Sequence, residues 1–281
     1  MASERRERKP RGKPLFRSDS ARFCALLALG CSEPTVYVGS NAVPQSCAIT
    51  PSAPPSQLSL DSFYQKYLDA KGTPVVSSGQ VSDAALRQAC IITSHLTPKR
   101  DDVRQSLLDN HFRVAVIGVN EVTLDIPEYS DLPTNSDRNW NQERGEGATV
   151  ARPVSSAGEE NLLCLSGDIY AGESILVDTL AYAVHDLGLS LVDSTFDTRL
   201  DAAYQAAINA GLWQNTFAAQ SAGFYFAEGV EDWYDANQQA DPPDGVHNFV
   251  NTRAELDAYD PTLAEIISEQ FAVDDWRYHC P

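Results

Sequence analysis

Apolar residues recur at helical spacing most clearly in residues 173–188, E-S-I-L-V-D-T-L-A-Y-A-V-H-D-L-G. Leu176, Leu180, Ala183, Val184 and Leu187 fall at i, i+4, i+7, i+8 and i+11, one stripe of an amphipathic helix facing a core. Asp178, Tyr182 and His185 form the adjacent stripe, because residues three and four apart are neighbours on a helix surface. A polar row beside a core row marks either the wall of a cleft or the wet edge of an ordinary core helix.

The same reading places the other elements. Residues 60–70 carry Phe63, Tyr64, Tyr67 and Leu68 on one helical face, with Gly72 as the stop. Ser82 caps a helix to about Leu96 that turns Leu86, Cys90 and Ile91 inward. Thr97-Pro98 opens the next, ending at Asn110, since proline suits the first helical position. Asp193 or Ser194 caps 196–210, which Gly211 ends. Residues 224–235 are helical, Thr252 caps 253–259, and Pro261 opens a last helix to Phe271. Residues 112–119, F-R-V-A-V-I-G-V, are the clearest strand and read as central. Residues 161–165 read as a second, short strand that leads into the 173–188 helix. Residues 130–160 are expected to be an irregular polar loop, and 236–246 another. The fold class is therefore α+β, a mostly helical single domain with a small sheet and no internal repeat.

Composition sharpens this picture at the amino end. Residues 1–22 hold eight Lys/Arg against three acids, leaving 13 basic and 36 acidic residues in the remainder, a net of −23. An acidic body repels nucleic acid and anionic lipid, so neither is expected as a partner. A short apolar run at 23–30 follows the basic stretch, the order of a secretory signal peptide. A lipoprotein processing site at Cys31 and a basic disordered tail are the competing readings. Residues 1–32 thus form a basic amino-terminal segment, 33–58 a Pro/Ser-rich linker, and 59–281 the folded domain. No apolar run approaches the roughly 18–20 residues of a membrane span. Of six cysteines, none forms a C-x-x-C pair. If the chain is cut before Cys47, then Cys47, Cys90, Cys164 and Cys280 allow two disulfides in any of three connectivities; buried free thiols are the alternative.

The segment 173–188 resembles the active-site helix of zincin-like metallopeptidases whose catalytic domain is akin to that of the anthrax lethal-factor toxin, in the form E-S-I-L-V-H-E-x-A-H-A. The resemblance extends over residues 60–281 through Trp140-Asn141, E-E-N-L-L-C at 159–164, 224–230, H-N-F-V-N-T-R at 247–253, and D-W-R-Y at 275–278. In that family two histidines and a later glutamate bind zinc, and a glutamate between the histidines is the general base. The resemblance puts Asp178 and Tyr182 at the histidine positions, Thr179 at the base, Phe224 at the third ligand and Phe217 where a tyrosine assists the transition state. Glu228 matches a glutamate that supports the family's site without binding metal. Five functional positions thus hold residues unable to do the original work, so neither zinc nor another cofactor is expected. Tyr182 and Phe224 are expected to plug the vacated seat, with the Tyr182 hydroxyl donating to Asp178 and Phe217 packed nearby.

The implied protein is a secreted or cell-surface pseudoenzyme, monomeric, whose cleft binds a peptide, protein or glycan. Aromatic residues such as Tyr225, Phe226 and Trp233 suit a sugar or peptide as well as they suit a core. An enzyme with zinc-independent chemistry through Asp178, Tyr182, His185 or Glu228, and an active peptidase with rearranged ligands, are the alternatives. His185 reads first as a packed or exposed helical residue, and His247 as a loop hydrogen-bonding residue.

Overall fold

The computed structural model describes residues 42–133 and 139–281. The signal-peptide reading, Cys24 and Cys31 lie outside those residues. The architecture is α+β, with a small mixed sheet packed on its helices.

The sheet has five strands in the order β1-β2-β3-β5-β4. They are β1 Lys66–Ala70, β2 Thr73–Ser77, β3 Arg113–Ile117, β4 Gly145–Glu146 and β5 Val154–Gly158. β2, β3 and β5 run parallel, and the two outer strands are antiparallel to their neighbours. β3 is central, as its β-branched composition predicts. Side chains alternate along the strands. Val75, Val114, Val116 and Ala157 join the main core under the helices, while Val76, Ala115, Ile117 and Val154 meet Ile126 and Tyr129 on the other face.

The helices are α1 Asp83–His95, α2 Asp101–Asp109, α3 Glu159–Leu162, α4 Ile175–Ala183, α5 Ser190–Val192, α6 Phe196–Asn209, α7 Ala222–Trp233, α8 Arg253–Tyr259 and α9 Pro261–Gln270. Ser82, Ser221, Thr252 and Asp260 each accept a backbone N–H at a helix start, removing one otherwise unpaired donor per helix. Between α4 and α5 the backbone widens into π-type turns over Val184–Leu189. The Ser106 hydroxyl donates to the Leu187 carbonyl there at 2.6 Å. All five residues of the predicted stripe, Leu176, Leu180, Ala183, Val184 and Leu187, are buried.

Several expectations need correction. Residues 60–70 are not a helix: 66–70 are β1. Ala70 pairs with Thr73 across Lys71-Gly72, whose φ angles are 54° and 95°, a hairpin turn that demands two left-handed residues. Aromatic spacing over one short stretch fits either period, and the turn decides. α2 starts at Asp101 rather than at Pro98: Arg100 is extended, and the Lys99 N–H donates to the Gln270 carbonyl at 2.8 Å. Residues 161–165 are not a strand. The strand is the preceding β5, whose Ser155 and Ser156 are wholly buried. Ser155 donates to the Thr179 carbonyl at 2.6 Å, and Ser156 shares a hydrogen bond with the Tyr129 hydroxyl at 2.9 Å. Buried serines satisfied in this way hide a core strand from a hydrophobicity reading. Residues 130–160 therefore contain β4 and β5. The proline-rich stretch expected as linker is also held: Cys47 is buried, and Ser52 N–H donates to the Tyr67 carbonyl at 3.2 Å.

Disulfides join Cys47 to Cys90 and Cys164 to Cys280, with Cα–Cα distances of 5.5 and 5.8 Å. This selects one of the three connectivities and is compatible with an oxidising, extracellular compartment. Among the described residues one continuous helical stretch, Ile175–Val192, is long and apolar enough to cross a membrane by length and composition. More than half of it is buried, with α4 packed against β5 and α7, the position of a core helix.

Candidate functional site

α4 and α7 lie against each other on the β5 side of the sheet. α7 is buried over Tyr225–Trp233, so any polar side chain on it must face another element in the interior. α4 presents Asp178, Thr179 and Tyr182 along its length, and β4 passes over it at the sheet edge. Gly147 makes this approach possible: a Cβ there would lie 2.9 Å from the Tyr182 Cβ.

Thr179 is buried, and its hydroxyl donates to the Ser156 carbonyl at 3.3 Å. It pins α4 to β5 and has no proton-accepting role open to it. Tyr182 turns its ring to Phe224, edge to face at 6.0 Å, and Phe224 meets Phe217 at 4.5 Å. Three rings thus run in line between α4, α7 and the 3-10 turn Phe217–Gln220. The expected Asp178–Tyr182 hydrogen bond is not among the bonds of the described residues. The ring packing orients Tyr182, and burial together with the Asp178 charge pushes its phenol well above the ordinary range.

Asp178 faces an unusual set of neighbours. Burial, then Glu228, Glu173 and Glu146, hold its carboxyl well above the normal carboxylate range. Glu228 is pushed up to about 7, chiefly by burial, against the Asn237 hydrogen bond and His247, which lower it. Glu231 and Asp232 are both buried and both raised, burial again being the first cause. Asn237 Nδ2 donates to Glu228 Oε2 at 3.1 Å and to Asp232 Oδ1 at 3.0 Å. Glu231 Oε1 and Asp232 Oδ2 have no hydrogen-bond partner. A buried carboxylate without a cation or donor is costly, and it avoids that cost by taking up a proton.

His247 lies at the edge of this group. Its Nε2 is 2.9 Å from Glu173 Oε2 and its Nδ1 is 3.4 Å from Asp244 Oδ2. Burial works against its charge, but the two carboxylates outweigh burial and hold the imidazole at about 8. His247 is therefore hydrogen-bonded as expected, but to acids and with a positive charge. His185 belongs elsewhere. Its Nε2 is 3.0 Å from Asp197 and its Nδ1 is 3.3 Å from Asp186, and its ring packs near Phe196 and Phe226. Asp178, Tyr182, Phe224 and Phe217 are thus brought to one place, Glu228 to an acid group beside it, and His185 to the α6 side.

The positions that the resemblance assigns to zinc do not fit the ion. Zinc takes about three protein ligands with an open place for water. Of these three positions, Phe224 has no donor atom and Tyr182, edge-on to Phe224, offers only a phenol whose proton burial holds in place, which leaves Asp178 as the one carboxyl. Among the described residues, no three His, Cys, Asp or Glu side chains are arranged to hold a metal ion. Sequence reading missed Glu231, Asp232, Asn237 and the Glu173–His247 pair. A signal for the first two was present: three acids on a helix that is otherwise apolar all round. A groove of about 660 Å³ lies away from all these residues, bounded by Leu58, Leu60, Leu108, His111 and Arg113. The chain matches no family model, no curated protein and no solved structure.

Proposed function

We propose that this protein is a secreted, zincin-like pseudopeptidase that binds a peptide or glycan beside α4 without cleaving it. The observation that carries this reading is the aromatic line Tyr182–Phe224–Phe217 across the α4–α7 junction. Each ring stands where the resembled family keeps a ligand or a transition-state donor, and ring packing here fills space that a lost ion would leave as a destabilising void. The disulfides support an extracellular setting, and α4 running beneath the antiparallel edge strand β4 supports a zincin-like arrangement.

The test uses the purified full chain. Zinc is measured by mass spectrometry, hydrolysis of a mixed peptide library is followed with and without chelator, and thermal unfolding is scanned against peptides and oligosaccharides. The expected result is well under one zinc per chain, no chelator-sensitive cleavage, and a raised melting temperature with one ligand class. One tightly held zinc per chain together with chelator-sensitive cleavage overturns the proposal.

A second reading rests on Glu228. A carboxyl held at about 7 has the pKa of a general acid or base at neutral pH. On this reading the protein is a zinc-independent hydrolase, and Glu228→Gln abolishes an activity that chelators leave untouched.

A further inference from the structure

We propose that Cys164–Cys280 is a thiol-labile clip, opened by a small dithiol reductant while Cys47–Cys90 stays closed. The two disulfides differ in access. Cys47 and Cys90 are both 0% exposed, Cys90 within α1 and Cys47 against it. Cys164 and Cys280 are both exposed. Exchange requires a thiolate to reach a disulfide sulfur, so access separates the two rates.

The exposed pair is also polarised. Cys164 lies two residues past the end of α3, after the capping Leu163, with φ 51°, in the left-handed region. Its Sγ lies 3.6 Å from the Tyr278 hydroxyl. A disulfide sulfur has no proton, so the tyrosine is the donor. Tyr278 is held in place by its own N–H, which donates to the Tyr234 carbonyl at 2.8 Å. Burial, then the Asp168 charge, pushes its phenol up to about 12, so the proton stays on the oxygen. A donor beside one sulfur stabilises that sulfur as the leaving thiolate.

A reductant thiolate attacks Cys280 Sγ, forming a mixed disulfide and expelling Cys164 as a thiolate beside Tyr278. The second thiol of the reductant then attacks its own sulfur in the mixed disulfide, closes a cyclic disulfide, and releases Cys280 as a thiolate. Two electrons pass from the dithiol to the protein disulfide, and two protons follow from water and the reductant. What the clip holds is limited. Asn161 still ties down the approach to α4 through Asp168 Oδ2, the Glu173 carbonyl and the Ile175 N–H. Trp276 remains buried, stacked on His95 and edge-on to Tyr234. Opening therefore releases residues 279–281, leaves 164–167, with exposed Leu165, to short-range bonds such as Leu165 N–H to the Glu160 carbonyl at 2.8 Å, and keeps the core in place.

The full chain is treated at pH 8 with graded dithiothreitol, quenched with iodoacetamide and analysed by peptide mass spectrometry. Cys164 and Cys280 are expected to label at least tenfold faster than Cys47 and Cys90. Glutathione is expected to leave its trapped adduct on Cys280. Tyr278→Phe is expected to slow opening several-fold without changing the Cys47–Cys90 rate. Hydrogen exchange is expected to quicken in residues 164–167 while α1 and α7 keep their protection. Simultaneous labelling of all four cysteines, earlier labelling of the buried pair, a glutathione adduct on Cys164, or loss of α7 protection on opening each overturns the proposal. Should Tyr278→Phe fail to fold, the adduct position in the unaltered chain decides.

Discussion

Replacing Glu228 by glutamine removes one proton-binding group from the buried acids and keeps an oxygen for the Asn237 amide to bond. The Glu228 carboxyl rises from 4.5 to about 7 on folding. A group raised in the folded state contributes stability that is fully present below its unfolded value and is lost as pH climbs through the folded one. Glu228 therefore weakens the fold progressively between pH 5 and 8. The size of the shift makes that loss on the order of 2 kcal/mol over this window. His247, held at about 8, has the same sign, with its contribution present below 6.5 and lost through 8. His95, lowered to about 4 by burial, has the opposite sign, gaining stability as pH rises from 4 to 6.5. Asp193 and Asp244, both near 2, act only in acid. The informative quantity is thus the difference between variant and parent. Urea unfolding at pH 5, 6, 7 and 8 is expected to show Glu228→Gln close to the parent at pH 5 and more stable by roughly 2 kcal/mol at pH 8. A difference that does not change with pH, or that changes in the opposite direction, refutes a protonated acid group in the folded protein.

Three further outcomes are expected. Phe224→Glu puts a carboxyl at a half-buried position between Phe217 and Tyr182, in place of ring packing, and should cost about 1–2 kcal/mol by chemical denaturation; an unchanged stability would show that the rings do not plug this junction. Asp260→Ala removes the acceptor for Leu263 N–H, Trp213 Nε1 and the Tyr225 hydroxyl. With a cap lost and two buried donors left unpaired, a cost of about 3 kcal/mol is expected, and a loss under 1 kcal/mol would contradict these bonds. Converting Cys47 and Cys90 together to serine opens a link between residues 43 apart and should cost about 4 kcal/mol from chain entropy, read as a lower urea midpoint; an unchanged midpoint would mean that residues 47–52 do not hold to the body.

Legibility followed the physics of each segment. The 173–188 stripe was readable because a long buried helix repeats its pattern several times, and β3 because four consecutive apolar positions, Val114 to Ile117, leave few options. Thr252 and Pro261 marked two helix starts through local chemistry alone. β5 was not readable, since Ser155 and Ser156 are core residues only by virtue of partners in α4 and in the segment around Tyr129. β1 failed for a different reason: the aromatic residues of 60–70 satisfy helix and strand spacing alike until Lys71-Gly72 folds β1 onto β2.

The site divides along the same line. The amino-acid sequence alone determined that Phe217 and Phe224 carry no donor atom and that Thr179 carries a hydroxyl and no carboxylate, because a side chain's functional groups are covalent facts. Only the tertiary structure decided that Glu228 and Glu231 come near Asp178 in the interior, that Glu173 finds His247, and that His185 turns toward Asp186 and Asp197. Charges change meaning with their surroundings. A carboxylate in water is ordinary, and the same group enclosed among other acids must take a proton or strain the fold, an outcome set by neighbours that lie far away along the chain.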